Sequence, residues 1–185
     1  MKRIFLLVLI AGSFVACKKN PATPLPTMDY TDYHDSVIRY NQEFKVDLNK
    51  DGTMDFFFTV SLTADSNGDH QQYHLVSHGT NKLLINSNEQ LKAHAANVVI
   101  GKDGGLGYAW LRSPSGIIVE KVITPTVDYW QGTWKDKLHN YIGVCIEVNN
   151  QKYYGWINVS HLNNKVIVHD AALCNVANTD VIAGK

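Results

Sequence analysis

The sequence predicts an all-β protein, an antiparallel β-sandwich of jelly-roll-like outline with at most one short helix, and three observations carry that expectation. From about Tyr30 onward, short runs rich in Val, Ile, Thr and Tyr are punctuated by Asn, Asp and Gly. Ile142, Val144, Ile146 and Val148 alternate with Tyr141, Gly143, Cys145 and Glu147, the period of a strand with one buried face. Asn149-Asn150 and Asn163-Asn164 each join two strong runs, and Asn tolerates the positive φ of a tight hairpin.

The elements follow in chain order. Lys2 and Arg3 precede an unbroken apolar run from Ile4 to Ile10 and then Ala11 to Cys17, which is the anatomy of an export signal. The run is shorter than the roughly 20 residues of a spanning helix, so residues 1–16 read as a cleaved signal. Val15-Ala16-Cys17 resembles the lipobox of bacterial lipoproteins, which implies diacylglycerol on the Cys17 thiol, although Phe14 stands where an aliphatic residue is usual. Each buried CH₂ contributes about 0.8 kcal/mol, and several chains on one residue anchor durably. Residues 17–29 then form a tether, with Pro21, Pro24 and Pro26 favouring an extended spacer. Residues 30–185 make one domain.

Strands are expected at Glu43 to Val46, Phe56 to Leu62, Gln71 to Ser77, Lys82 to Ile85, Asn97 to Ile100 and Tyr108 to Leu111. Further strands are expected at Ile117 to Ile123, Tyr141 to Val148, Lys152 to Val159 and Lys165 to Val168, the last three forming a meander. The one candidate helix is Asn88 to Ala96, opening on an Asn or Ser cap. Lys and Arg total 17, as do Asp and Glu, so no basic field exists to hold nucleic acid.

Between the first two strands, Asp47, Asn49, Asp51 and Asp55 place oxygen side chains at alternating positions around Gly52, and Thr53 adds a backbone carbonyl. Such a loop suits a hard cation, calcium above all. The twelfth position is Phe58 instead of a bidentate Glu, and the flanks are strands, so this is no EF-hand. The alternative is an Asx-rich hairpin whose carboxylates only solvate the turn. Calcium here would be a structural staple that offsets repulsion among three carboxylates.

Two segments carry a resemblance. Asp47-Leu48-Asn49-Lys50-Asp51-Gly52-Thr53-Met54-Asp55-Phe56 and Tyr154-Gly155-Trp156-Ile157, with the terminal Val181-Ile182-Ala183-Gly184, resemble a group of bacterial secreted and lipid-anchored β-domain proteins. The resemblance implies architecture and assigns no function.

Other chemistry is thin. His70, His74 and His78 recur every fourth residue, but on one strand such positions lie about 13 Å apart, too far to share a metal. A glycan hydrolase on a β-sandwich would draw its acidic pair from distant strands, such as Glu120 and Glu147. Trp130 and Trp134 flank a Gly turn and are candidates for sugar stacking. Cys145 and Cys174 are free to pair in an oxidising compartment. The expected protein is therefore a module without enzymatic activity, lipid-anchored at the outer membrane. Its possible partners are a glycan or another envelope protein.

Overall fold

Hydrophobic alternation and Asn-rich turns produce fourteen strands in the computed structural model, which describes residues 26–112 and 115–185. The expected export signal, Cys17 and most of the expected tether lie outside the described residues. The first half contains β1 (Met28–Val37), β2 (Phe44–Val46), β3 (Phe56–Asp65), β4 (Gly68–Ser77), β5 (Lys82–Ile85), β6 (Ala93–His94) and β7 (Val99–Ile100). The second contains β8 (Ala109–Leu111), β9 (Gly116–Ile123), β10 (Tyr129–Gln131), β11 (Asn140–Val148), β12 (Gln151–Leu162), β13 (Lys165–Cys174) and β14 (Val181–Ile182).

One sheet runs β1-β13-β12-β11-β5-β8, with β6 also paired to β11; the second runs β10-β9-β4-β3-β2; β14 and β7 form a two-stranded ribbon. Asn149, Asn150, Asn163 and Asn164 all have φ between 50° and 63°, and they close the expected β11-β12-β13 meander. The expected strands are present, and β1, β6, β10 and β14 are additional. β1 begins at Met28, so the last two residues of the expected 17–29 tether already belong to the sheet.

No helix forms at Asn88 to Ala96. The Asn86 side chain accepts from the Asn88 and Gln90 N–H groups, and Glu89 sits at φ 58°. Both fix a turn that a helix cannot pass through, and Ala93–His94 then pairs with β11.

Phe56, Phe58, Val60 and Leu75 face Ile142, Val144, Ile157 and Val168 across the sandwich, all nearly solvent-free. Full burial of each such side chain is worth about 1.5–3 kcal/mol, against about 0–1 for a surface ion pair. This seam therefore dominates stability. A second core lies on the outer face of the larger sheet, where Ile100, Val181 and Ala183 cover Cys145, Tyr154, Trp156 and Cys174.

Two irregularities re-aim side chains. Ile157 pairs with Ala171 but Val159 with Val168, so β13 carries one extra residue there. Opposite it, the β1 register slips between Asp32 and Ser36, with His34 and Asp35 at φ 53° and 54°. Such bulges bend an edge strand away from further pairing.

Candidate functional site

The acidic loop joins β2 to β3, and hydrogen bonds to its own backbone shape it. Asp55 Oδ2 accepts from the Leu48 N–H at 2.8 Å and the Asn49 N–H at 3.3 Å, while Oδ1 accepts from Asn81 Nδ2 at 3.1 Å. Asp47 Oδ2 accepts from the Gly52 N–H, Asn49 Oδ1 from the Asp51 N–H, and Asp51 Oδ1 from the Thr53 N–H. Lys50 and Gly52 lie at φ 58° and 84°, which closes the loop.

Charge in this loop is only partly compensated. Asp55 is 5% exposed, and burial raises its pKa above the ordinary carboxylate value, with Asp47 adding to the effect against the opposing N–H donors. Burial, then Asp47 and Asp55, push the Tyr33 phenol far up. Asp47 Oδ1 and the Tyr33 hydroxyl are both buried without a hydrogen-bond partner. An open groove of about 200 Å³ beside the loop is lined by Asn49, Asp51, Asp55, Asn81 and Glu147 together with the apolar Met54, Ile146 and Val148, and Asp47 does not line it. The oxygen-bearing side chains on its polar side are of the ligand type a hard cation takes. A carboxylate oxygen that accepts one N–H keeps a second acceptor site, so the turn bonds do not exhaust these ligands. Among the described residues, no three His, Cys, Asp or Glu side chains converge on one point.

The tryptophan expectation is corrected. Trp134 is completely buried, and its indole N–H donates to the Leu91 carbonyl at 3.0 Å. Trp130 is half-buried on the inner side of β10, wedged between Tyr73 and His161 at centroid distances of 5.6 and 4.5 Å. Their rings complete the end of the sandwich and offer no paired sugar-stacking surface. The periodicity of a three-residue strand was too short to reveal which way Trp130 points.

The disulfide is corrected as well. Cys145 and Cys174 are buried free thiols. Cys145 pairs with Tyr154 on β12, and β13 lies on the far side of that strand. Two inter-strand spacings make roughly 9.5 Å, beyond the reach of a disulfide. Burial pushes the Cys145 thiol up to about 11, so it is a poor nucleophile.

Glu120 and Glu147 belong to different sheets and serve separate networks. Lys82 Nζ reaches Glu147 Oε2 at 2.5 Å. Glu120 Oε1 lies 2.8 Å from His70 Nδ1 and accepts from Gln72 Nε2 at 2.8 Å, while Oε2 accepts from Gln131 Nε2. Burial would raise the Glu120 carboxyl, but these bonds outweigh it and leave the pKa lowered. His70 Nε2 lies 3.0 Å from Asp65, and bonds to Asp65 and Glu120 raise its pKa. His74 sits between the Ser61 and Ser115 hydroxyls, and His78 lies beyond β4. The three histidines therefore go to three different surroundings.

One alignment was invisible in the sequence. Asp35 Oδ1 lies 2.5 Å from His169 Nδ1, and His169 Nε2 lies 2.7 Å from Ser160 Oγ. The paired bulges of β1 and β13 create it. This is the bonding order of a hydrolase triad, but exposure is inverted: the Asp35 side chain is 77% exposed and Ser160 only 2%. A nucleophile needs the opposite arrangement. Ser160 Oγ also accepts the His139 N–H at 2.9 Å, so the line ties β1 to β13, β12 and the segment before β11.

No protein-family model, curated protein or solved structure matches the chain.

Proposed function

We propose that the chain is a lipid-tethered cell-envelope protein, anchored through Cys17, whose β-sandwich is stapled by calcium and serves as an interaction module rather than an enzyme. The observation that carries the staple is the buried, unpartnered Asp47 Oδ1 beside the 5%-exposed Asp55 and the unpartnered Tyr33 hydroxyl. An uncompensated carboxylate oxygen in a buried place is costly, and a divalent cation offsets that cost. Asp47, Asn49, Asp51 and Asp55, with the Thr53 carbonyl, would hold the ion, which would pin β2 to β3 and neutralise the loop.

Thermal melts test it. At 100 times its dissociation constant, a ligand stabilises by about 2.7 kcal/mol, or about 5–10 °C for a domain of this size. Calcium-loaded protein should melt that much higher than protein in chelator, and Asp51→Ala should erase the gap. The pH dependence adds a sign. In chelator the Asp55 pKa is raised, so its contribution is fullest below the unfolded value of about 4 and is lost as pH rises through the folded one. Calcium would depress that pKa, and the contribution would then be lost as pH falls. Equal melting temperatures at every pH would remove the staple. Mass spectrometry of membrane-extracted protein tests the anchor: acyl chains on Cys17 are expected, and an unmodified thiol would refute it.

A further inference from the structure

The outer face of the five-stranded sheet carries two ordered rows of side chains. Strand register places Gln131, Glu120, Gln72 and Ser61 in one line across β10, β9, β4 and β3. Tyr129, Val122, His70 and Thr63 form the adjacent line, in which Val122 is fully buried beneath its neighbours and presents no surface. Three inter-strand spacings make each row about 14 Å long.

The chemistry of the first row is directional. The Gln72 and Gln131 side-chain amides both donate to Glu120. Each is thereby fixed with its carbonyl oxygen free of any hydrogen bond within the described residues. Glu120 is held by three neighbours and is 14% exposed at its side chain, so its position is set before a partner arrives. Such preorganisation lowers the ordering cost of binding.

Charge decides the class of partner. His70 lies between Asp65 and Glu120, at 3.0 and 2.8 Å, so two carboxylates share one imidazole and the cluster stays net negative even when His70 is protonated, which disfavours an anionic ligand. What remains is a strip of amide and carboxylate acceptors, with the exposed Thr63 hydroxyl beside it and the Ser61 hydroxyl already bonded to His74 at 2.8 Å. At its end stands Tyr129, 42% exposed on the same face. A partner complementary to this strip offers many O–H donors, carries no negative charge, and presents an apolar C–H face to an aromatic ring.

From this we infer that the face binds a neutral polyhydroxylated chain, a polysaccharide laid across the strands. The inference rests on the interaction-module reading and is independent of calcium. It places the ligand on the side of the sheet opposite Trp130, around residues whose roles follow from register alone.

Native gel electrophoresis of the full-length, detergent-solubilised protein tests it, with xylan, mixed-linkage β-glucan, mannan or dextran cast into the gel. Retardation by at least one polymer is expected. Tyr129→Ala and Gln131→Ala, both on the exposed edge strand, should each weaken it about tenfold, the usual scale for losing one anchoring contact. Glu120→Gln should weaken it further, while circular dichroism confirms that each variant is folded. Retardation by none of the polymers overturns the inference, as does retardation that all three variants retain. Self-association in sedimentation that Tyr129→Ala abolishes would overturn it too, by assigning the face to a second copy. Shortening of a polymer that retards the protein would uphold this site and overturn the non-catalytic reading instead.

Discussion

His94 supplies a quantitative handle on the outer core. Its imidazole is 4% exposed, and neither ring nitrogen has a hydrogen-bond partner. Burial, with a smaller contribution from Lys92, lowers its pKa from 6.5 to about 4. The folded state therefore binds fewer protons than the unfolded chain between those values. For a group depressed in this way, stability is fully present above the unfolded pKa and is lost as pH falls towards the folded one. Each tenfold in proton affinity is worth about 1.4 kcal/mol, so the whole interval corresponds to about 3 kcal/mol, or about 6–12 °C in melting temperature. His94→Leu removes the titration while keeping an apolar side chain between Gly143 and the second core. At pH 7 the variant should melt within a few degrees of wild type. On descent to pH 4 the wild type should lose that amount relative to the variant, read by calorimetry at matched ionic strength. Parallel melting curves for the two proteins from pH 7 to 4 would refute the claim that a neutral, unpartnered imidazole sits in this core.

Two other perturbations follow from packing. Trp134→Ala should cost about 3–5 kcal/mol, because the side chain is fully buried and its indole N–H bond to Leu91 is lost; urea unfolding that shifts by less than about 1 kcal/mol would show the ring to be peripheral. Gly155→Ala should destabilise by about 1–3 kcal/mol, since a Cβ there would lie 2.4 Å from the Ala172 carbonyl oxygen. Gly143→Ala should cost less, because its nearest neighbours are side chains at 3.2–3.4 Å, and equal losses in the two variants would contradict the distinction.

Gly155 shows how a sequence motif acquires its reason. Tyr154-Gly155-Trp156-Ile157 reads as a strand from the sequence, but only the pairing of β12 with β13 explains why the second position lacks a side chain. The β11 alternation behaves similarly. Ile142, Val144 and Ile146 face the sandwich as expected, whereas the opposite face is buried too, beneath β7 and β14. A two-residue ribbon strand has no period to read, so the cover over Cys145 was not legible.

The sequence by itself determined the class of fold, the main strands, the Asn-Asn hairpins and the turn at Asp47–Asp55, because each depends on local backbone preference or on alternation within one segment. Tertiary structure alone decided that Trp134 lies inside, that Cys145 and Cys174 stand two strands apart, and that Glu120 gathers His70, Gln72 and Gln131. These outcomes depend on strand order and register between segments distant in the chain. Register is an energetic compromise over whole sheets, set by matching two buried faces, and no single stretch of residues contains it.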